Sequence, residues 1–392
     1  MFELTQGVIG SLERGTESLG LFLDLTSAFD SVDYEKLYKK LEIYGIRGNT
    51  LKFIKSYLSE RKQRVIIEKN GVEYSSLDKT PILGVPQGSI LGPLLFTIFL
   101  NDLPKNSKPE NSSPIVYADD TNILIKGETI PEVIFKKQLI IEKVEQWCAV
   151  NNLILNKDKT ECIFFKNSKK KEIYPNEISI GITNIVVTET VKFLGVYVDS
   201  NLKWWSQVNH LNARLSTVSY TFSVLRNRLI QETLLILYHA NFVSILSYGI
   251  TIWGGNIYMN ELFVTQKRVI RYIFGLSSRQ SCRGIFRGNN LMTLSGLYIF
   301  KCLIFLYRHQ NYFIDYKNKN STRQVQFYMF PIHRLKLTEN NTHYVSMRFF
   351  NALPKEIQNI KHLNGFKKKV KEFVIECEPY AHDEFFEYCR KN

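Results

Sequence analysis

One stretch constrains this chain more than any other: Ile115-Val116-Tyr117-Ala118-Asp119-Asp120-Thr121-Asn122. An apolar run leads into two adjacent carboxylates, and a second run, Ile123, Leu124 and Ile125, leads out. The pattern predicts a tight β-hairpin with the acids at its tip. Neighbouring carboxylates repel each other, so a fold that holds them together has use for a cation. Mg²⁺ is the usual one, because it takes hard oxygen ligands and is held by one or two carboxylates plus substrate phosphates. The alternative is a solvated loop tip, the commoner setting for Asp-Asp at a turn.

A chain of 392 residues predicts two or three domains. With 44% hydrophobic and 13% aromatic residues it can build real cores, which excludes a mainly disordered chain. Its formal net charge of +14 favours a polyanionic partner, either nucleic acid or an anionic membrane surface. Solubility is the plainer reading of the same charge. Six cysteines (Cys148, Cys162, Cys282, Cys302, Cys377, Cys389) are scattered without a Cys-x-x-Cys pair, which supports neither a zinc ribbon nor a disulfide framework. They fit a reducing, intracellular location: nucleus, cytoplasm or both. Residues 1–20 carry Glu3, Glu13, Arg14 and Glu17 and no long apolar core, so no signal peptide is expected. The most membrane-like stretch, residues 233–254, has His239 and Asn241 near its middle; a buried helical hairpin is expected there rather than a membrane span.

Taken in order, residues 1–17 read as a helix with Phe2, Thr5, Val8, Ile9 and Leu12 on one side. Leu19-Gly20-Leu21-Phe22-Leu23-Asp24-Leu25 reads as a strand buried on both faces. A carboxylate at the end of such a strand is costly unless it is paired or binds metal. Asp30 reads as a cap for a helix with Leu37, Leu41 and Tyr44 on its inner side. Arg61-Lys62-Gln63-Arg64 opens a basic hairpin turning at Asn70-Gly71, which suits either a phosphate backbone or a solvated strand edge. Gly84-Val85-Pro86-Gln87-Gly88-Ser89 precedes an apolar helix over 90–103, a loop that lets backbone approach a ligand near a positive helix end. A helix from Pro131 to about Cys148 follows. Then come strands at Cys162 to Phe165 and at Phe193 to Val196. From Trp204 the pattern is helical, with Val208, Leu211, Leu215, Val218, Phe222 and Leu225 in period. Residues 312–323 read as a polar linker, and Lys367, Lys368, Lys369 and Lys371 mark a basic helix in the tail.

Helices and strands in this order suit an α+β fold, an antiparallel sheet with helices on one face. Such a sheet can bring Asp24 beside Asp119. Three carboxylates, Asp24, Asp119 and Asp120, would then hold two Mg²⁺ ions about 3.5–4 Å apart, the arrangement of two-metal phosphoryl transfer.

Together the motifs resemble those of reverse transcriptases: Phe22-Leu23-Asp24-Leu25-Thr26-Ser27-Ala28-Phe29-Asp30, Gly84-Val85-Pro86-Gln87-Gly88-Ser89-Ile90-Leu91-Gly92-Pro93 and Tyr117-Ala118-Asp119-Asp120. Their wording is similar to that of non-LTR (LINE-type) retrotransposons of the jockey and CR1 kind. The resemblance extends over roughly residues 1–275. It implies a right-hand polymerase palm over 1–200 with a remnant of the fingers, an all-α thumb over 201–276 and a helical basic region over 277–392. It implies an RNA-directed DNA polymerase that joins deoxynucleotides to a primer 3′-hydroxyl, with RNA template, DNA primer and dNTPs as partners. Two Mg²⁺ ions, or Mn²⁺, are the implied cofactors.

By the same resemblance Asp24, Asp119 and Asp120 are the metal ligands and Lys159 is a proton donor near the pyrophosphate. Phe29 lies under the nucleotide sugar and selects deoxynucleotides, Gln87 and Gly88 contact nucleotide and template, and Tyr117 lies against the primer end. Phe193, Leu194 and Gly195 form the primer grip. Plainer readings stand beside these: Phe29 as core, Lys159 as a solvated strand end. The departures are few residues before Asp24 to build fingers, Gln207 where many relatives have histidine, and no cysteine–histidine knuckle at Cys377, His382 and Cys389. They leave a second expectation from a different class, a truncated, inactive remnant that only binds nucleic acid. A group II intron maturase or telomerase relative is a third, and the wording from Phe22 to Asp30 counts against it.

Overall fold

The apolar run around Phe22 becomes strand β1 (Glu17–Leu25), buried at every position except Asp24. The structure, a computed structural model, describes residues 1–106, 112–118, 120–167, 172–180, 183–317 and 327–392. They divide into two compact units, Arg14–Leu194 and Met1–Glu13 with Gly195–Asn392.

In the Arg14–Leu194 unit, β1 is followed by α1 (Tyr34–Ile43), α2 (Gly48–Ser59), the hairpin β2 (Ile66–Lys69) and β3 (Val72–Ser75), and α3 (Leu91–Leu100). Then come β4 (Ser112–Tyr117), β5 (Asp120–Gly127), α4 (Ile130–Val150) and β6 (Leu155–Phe165). β7 (Glu177–Ile180), β8 (Thr183–Val186) and β9 (Thr190–Phe193) complete it. β4, β5, β1 and β6 form one antiparallel sheet in that order. Side chains alternate along a strand, so Leu19, Leu21, Leu23 and Leu25 share one face of β1. There they join a core with Leu37 and Leu41 of α1, Phe96 and Phe99 of α3, and Ile140 and Val144 of α4. Gly20, Phe22 and Asp24 point to the other face, where the Phe22 ring meets Phe193 edge-on at 5.2 Å.

Local chemistry accounts for the boundaries. Thr129 caps α4 through its side chain, and Pro131 sits in the first turn, where its missing N–H costs nothing. The β2–β3 hairpin turns at Asn70 and Gly71, both with positive φ, as a two-residue connection between right-twisted strands requires. The expected strand across Phe193 to Val196 is instead a turn: Leu194 (φ 48) and Gly195 (φ 75) are both left-handed. An apolar four-residue run reads as strand, and leucine gives no sign of a left-handed position.

The second unit is helical after β10 (Val196–Asp199): α5 (Trp205–Leu225), α6 (Met259–Ile273), α7 (Leu294–Arg308), α8 (Thr342–Ala352), α9 (Leu363–Cys377) and α10 (His382–Lys391). The α5 stripe buries Val208, Leu211, Leu215 and Phe222 as its period predicts. Gln207 is also buried, and its side-chain carbonyl accepts the Tyr197 N–H at 2.9 Å. The apolar stretch 233–254 folds as short helical pieces around a π-helical turn, Tyr238–Val243. Among the described residues no helix is long and apolar enough to cross a membrane. Part of the expected linker is structured, since Gln310–Tyr316 forms a 3-10 turn that buries Phe313; residues 318–323 lie outside the described residues.

The helix Phe2–Arg14 precedes β1 in sequence, yet its residues up to Glu13 belong with the helical unit. The Phe2 ring packs 4.8 Å from Phe305, and the Glu13 carboxylate accepts the backbone N–H groups of Arg334 and Leu335. Helical periodicity predicts such a helix but does not say which partner its stripe meets.

This unit carries an acid-sensitive group. The His382 ring lies against Tyr298 at 5.2 Å and Phe349 at 5.6 Å. Burial pushes its pKa down from 6.5 to about 4. Between those values the unfolded chain takes up a proton that the folded chain refuses. Stability is therefore full above pH 6.5 and falls as the pH drops toward 4, by up to about 3 kcal/mol. Thermal melting of the parent should fall across this window, and the slope should flatten in His382→Phe. A variant as acid-sensitive as the parent would rule this ring out as the source.

Candidate active site

Asp24 is the penultimate residue of β1, and its side chain is 34% exposed. The β1–β5 register ends at Leu23 opposite Thr121. Asp24 and Asp120 therefore occupy the next positions outward on neighbouring antiparallel strands. Asp120 is exposed at the start of β5, where it pairs with Tyr117 of β4. Two positions, 118 and 119, join these strands, and Ala118 takes φ 52. The expected hairpin is present, with Asp120 on β5 rather than at its tip; Asp119, the third expected ligand, lies outside the described residues.

On the other side of β1 the register jumps. Phe22 faces Glu161, whereas Asp24 faces Asn156. β6 thus spends five steps against two on β1, and the surplus forms a bulge that re-aims its side chains. Asn156 holds the bulge: its side-chain oxygen accepts the Lys159 N–H at 3.2 Å, and its carbonyl accepts the Thr160 hydroxyl at 2.7 Å. Lys159 consequently stands with its Nζ 4.0 Å from Asp24 Oδ2. At that distance and 72% exposure the pair adds little stability, so the lysine remains available to a ligand. Glu161 is a further acid on the Phe22 face, its carboxyl pKa raised by burial; within a strand pattern nothing singled it out.

The second motif loop is fastened to the turn after β1. Gly84 N–H donates to Val32 O at 2.8 Å, and Val85 N–H to Phe29 O at 2.8 Å. The Tyr34 hydroxyl donates toward Gly84 O at 3.0 Å. Gln87 Nε2 reaches both oxygens of Asp30 at 3.2 Å. Asp30 is therefore not the helix cap expected from sequence. Asp33 caps α1, accepting the Lys36 N–H at 3.0 Å, and Asp30 instead ties the two motifs together. Phe29 lies on the 3-10 turn Ala28–Ser31 with its ring stacked 4.2 Å from Phe96. It is both part of the core wall and partly exposed. Gly88 is exposed at φ 79, and a Cβ there would meet nothing within 4 Å. Its demand is conformational, and the space beside it is open.

Arg61, from the basic run before β2, is part-buried with its guanidinium 3.5 Å from Gly84 O. It braces this loop. Tyr117 is 66% exposed at the end of β4. Phe193 is buried against Phe22, and Leu194 and Gly195 form the turn described above.

The donor set suits a hard cation. Asp24 and Asp120 offer carboxylate oxygens at one end of the sheet, with the acid of position 119 between the strands in sequence. Mg²⁺ asks for one or two carboxylates and takes its remaining oxygens from substrate and water. Among the described residues no group of three or more His, Cys, Asp or Glu could hold a metal.

Residues 6–198 match the family model of reverse transcriptase (RNA-dependent DNA polymerase). The chain is 27% identical over 288 residues to the RNA-directed DNA polymerase from mobile element jockey of Drosophila melanogaster, covering 71% of this chain and 30% of that protein. It is 27% identical over 290 residues to the probable RNA-directed DNA polymerase from transposon BS of the same organism, covering 69% and 30%. The chain thus spans about three tenths of the length of these curated relatives. Among solved structures, apo telomerase from Candida tropicalis aligns with a TM-score of 0.39 and 11% identity, over 99% of this chain and 55% of that one. Over residues 6–198 this chain thus matches the reverse transcriptase family, and it is similar to the RNA-directed DNA polymerases of these mobile elements.

Proposed function

We propose that the chain is the polymerase part of a non-LTR retrotransposon protein and copies RNA into DNA. The observation that carries this is the placement of Asp24 and Asp120 one step beyond the Leu23–Thr121 pair, at the same end of an antiparallel sheet. The Arg14–Leu194 unit is then the palm, residues 201–276 the thumb, and 277–392 an additional helical region. Asp24, Asp119 and Asp120 hold two Mg²⁺ ions, with Mn²⁺ able to substitute. Bound there, the ions supply Lewis acidity that favours the primer 3′-alkoxide and offsets charge on the departing pyrophosphate.

The remaining roles fall to side chains of this domain. Lys159 donates a proton toward the pyrophosphate. Phe29, held by its stack on Phe96, closes the space beneath the nucleotide sugar. Gln87, oriented by Asp30, and Gly88, with open space beside it, face nucleotide and template. Tyr117 and the Phe193-Leu194-Gly195 turn meet the primer end. RNA template, DNA primer and dNTPs are the partners.

The test is primer extension on an RNA template with dNTPs and Mg²⁺. Synthesis by the parent and none by Asp119→Ala is the expected pair of results, and equal extension by both proteins would refute the reading. A second reading rests on the formal net charge of +14: a chain that binds nucleic acid without synthesis. It expects salt-sensitive primer–template binding by the parent with no extension at all.

A further inference from the structure

The helical layer of the Arg14–Leu194 unit contains a cleft of about 510 Å³ that the polymerase reading leaves unused. Lys36, Lys39 and Lys40 of α1 line it, with Lys143 and Trp147 of α4. Asp102 is the one acid among its lining residues, so four ammonium groups face a single carboxylate. Lys39 and Lys40 follow Lys36 by three and four residues, so each shares a helix face with Lys36, where like charges repel. Two of the four are already held. Lys40 donates to Phe99 O at 2.6 Å and pairs with Asp102 at 2.8 Å, and its ammonium lies over the rings of Phe99 and Trp147. Lys36 donates to Val150 O. Lys39 and Lys143 are exposed at the cleft.

The cleft shares no lining residue with the carboxylate site. Its helices cover the face of β1 that carries Leu19, Leu21, Leu23 and Leu25, whereas Asp24 belongs to the opposite face. Its volume is that of a small-ligand site, and its chemistry is that of an anion site. Lysines act as point charges without the fixed fork of arginine. They suit phosphates presented in varied orientations rather than one carboxylate held in a fixed geometry.

We propose that this cleft binds the phosphate groups of a polynucleotide backbone, giving the domain a second nucleic-acid contact on the face of the sheet away from the carboxylates. The choice of a polynucleotide rests on the polymerase reading; the phosphate chemistry rests on the cleft alone. Free polyphosphate offers the same groups, and the experiment separates the two sources.

The full chain is acetylated at its amines and read by mass spectrometry, alone, with single-stranded RNA, and with tripolyphosphate. RNA should slow modification of Lys39 and Lys143 several-fold and leave the exposed Lys52 of α2 unchanged. Slowing by RNA alone assigns the site to the continuous backbone. Slowing by tripolyphosphate as well assigns it to phosphate groups as such, and the cleft stands as a phosphate site. Unchanged rates at Lys39 and Lys143 with both additions overturn it. A second measurement guards against indirect protection. In Lys39→Glu/Lys143→Glu, the slope of log affinity for RNA against log salt should shrink by about 1.4, or about 0.7 for each lost contact. Lys52→Glu/Lys55→Glu carries the same charge change elsewhere in the unit, and an equal loss of slope in that pair overturns the assignment. Neither readout requires synthesis, so a chain inactive in primer extension still gives an answer.

Discussion

An Asp24→Asn variant is expected to fold like its parent and to extend a primer at least about 10³-fold more slowly, a loss of about 4 kcal/mol of transition-state stabilisation. The two halves of that expectation have separate physical grounds. Asparagine matches aspartate in shape, and the side chain sits near the strand end with a third of its surface in solvent. Among the described residues its cationic neighbour is Lys159, 4.0 Å away and mostly exposed; such a pair is worth about 0–1 kcal/mol. Stability should therefore stay within about 1 kcal/mol of the parent. What the substitution removes is the negative charge that a hard cation requires. Thermal melting, primer–template binding and extension, measured on the same preparation, separate these effects. Unchanged melting and binding with lost extension places Asp24 in the chemistry. Extension at the parental rate would show that the end of β1 is not the reaction centre.

The residues proposed for this role are those that local pattern places well. A buried apolar strand ending in an acid, and two acids between apolar runs, are both short-range signals, and Asp24 and Asp120 stand where those signals put them. What local pattern leaves open is the choice among nearby equivalents. Asp30 and Asp33 both precede α1, and either suits a cap by composition. Only the loop that arrives with Gln87, far along the chain, draws Asp30 away. The bulge in β6 is equally hidden. Asn156 to Thr160 is polar enough to read as a loop leading into a strand, yet it lies inside a single strand, Leu155–Phe165. The bulge is what carries Lys159 to Asp24. The N-terminal helix makes the same point at the scale of the fold: its stripe predicts burial, and its partners at Phe305 and Arg334 to Leu335 lie some three hundred residues away.

The fastening of the two motif loops can be tested at one atom. Gly84 has φ 86, and a Cβ built there would lie 2.8 Å from both Cα and the carbonyl oxygen of Asp30. Both obstacles are backbone, so no flexible side chain can yield. The loop must instead withdraw from the turn, straining the hydrogen bonds from Gly84 to Val32 and from Val85 to Phe29. The left-handed conformation costs an alanine about 1 kcal/mol or more, and overpacking about 1–3 kcal/mol. A Gly84→Ala protein should therefore be less stable by roughly 2–4 kcal/mol, and its melting temperature lower by roughly 5–10 °C. Withdrawal also moves Gln87 and Phe29 relative to Asp24. A displacement of about 1 Å can cost about 10²-fold in rate, so extension should fall by that order at temperatures where the variant remains folded. Gln87→Ala is the informative contrast. It removes the exposed bonds to Asp30 but leaves the Gly84 contact in place, so it should melt within about 1 kcal/mol of the parent. If Gly84→Ala melts and extends like the parent, the close approach of the two loops does not position the site. If it melts lower but extends normally while folded, the contact serves stability alone, and Gln87 with Phe29 must be placed by the α3 side of the loop.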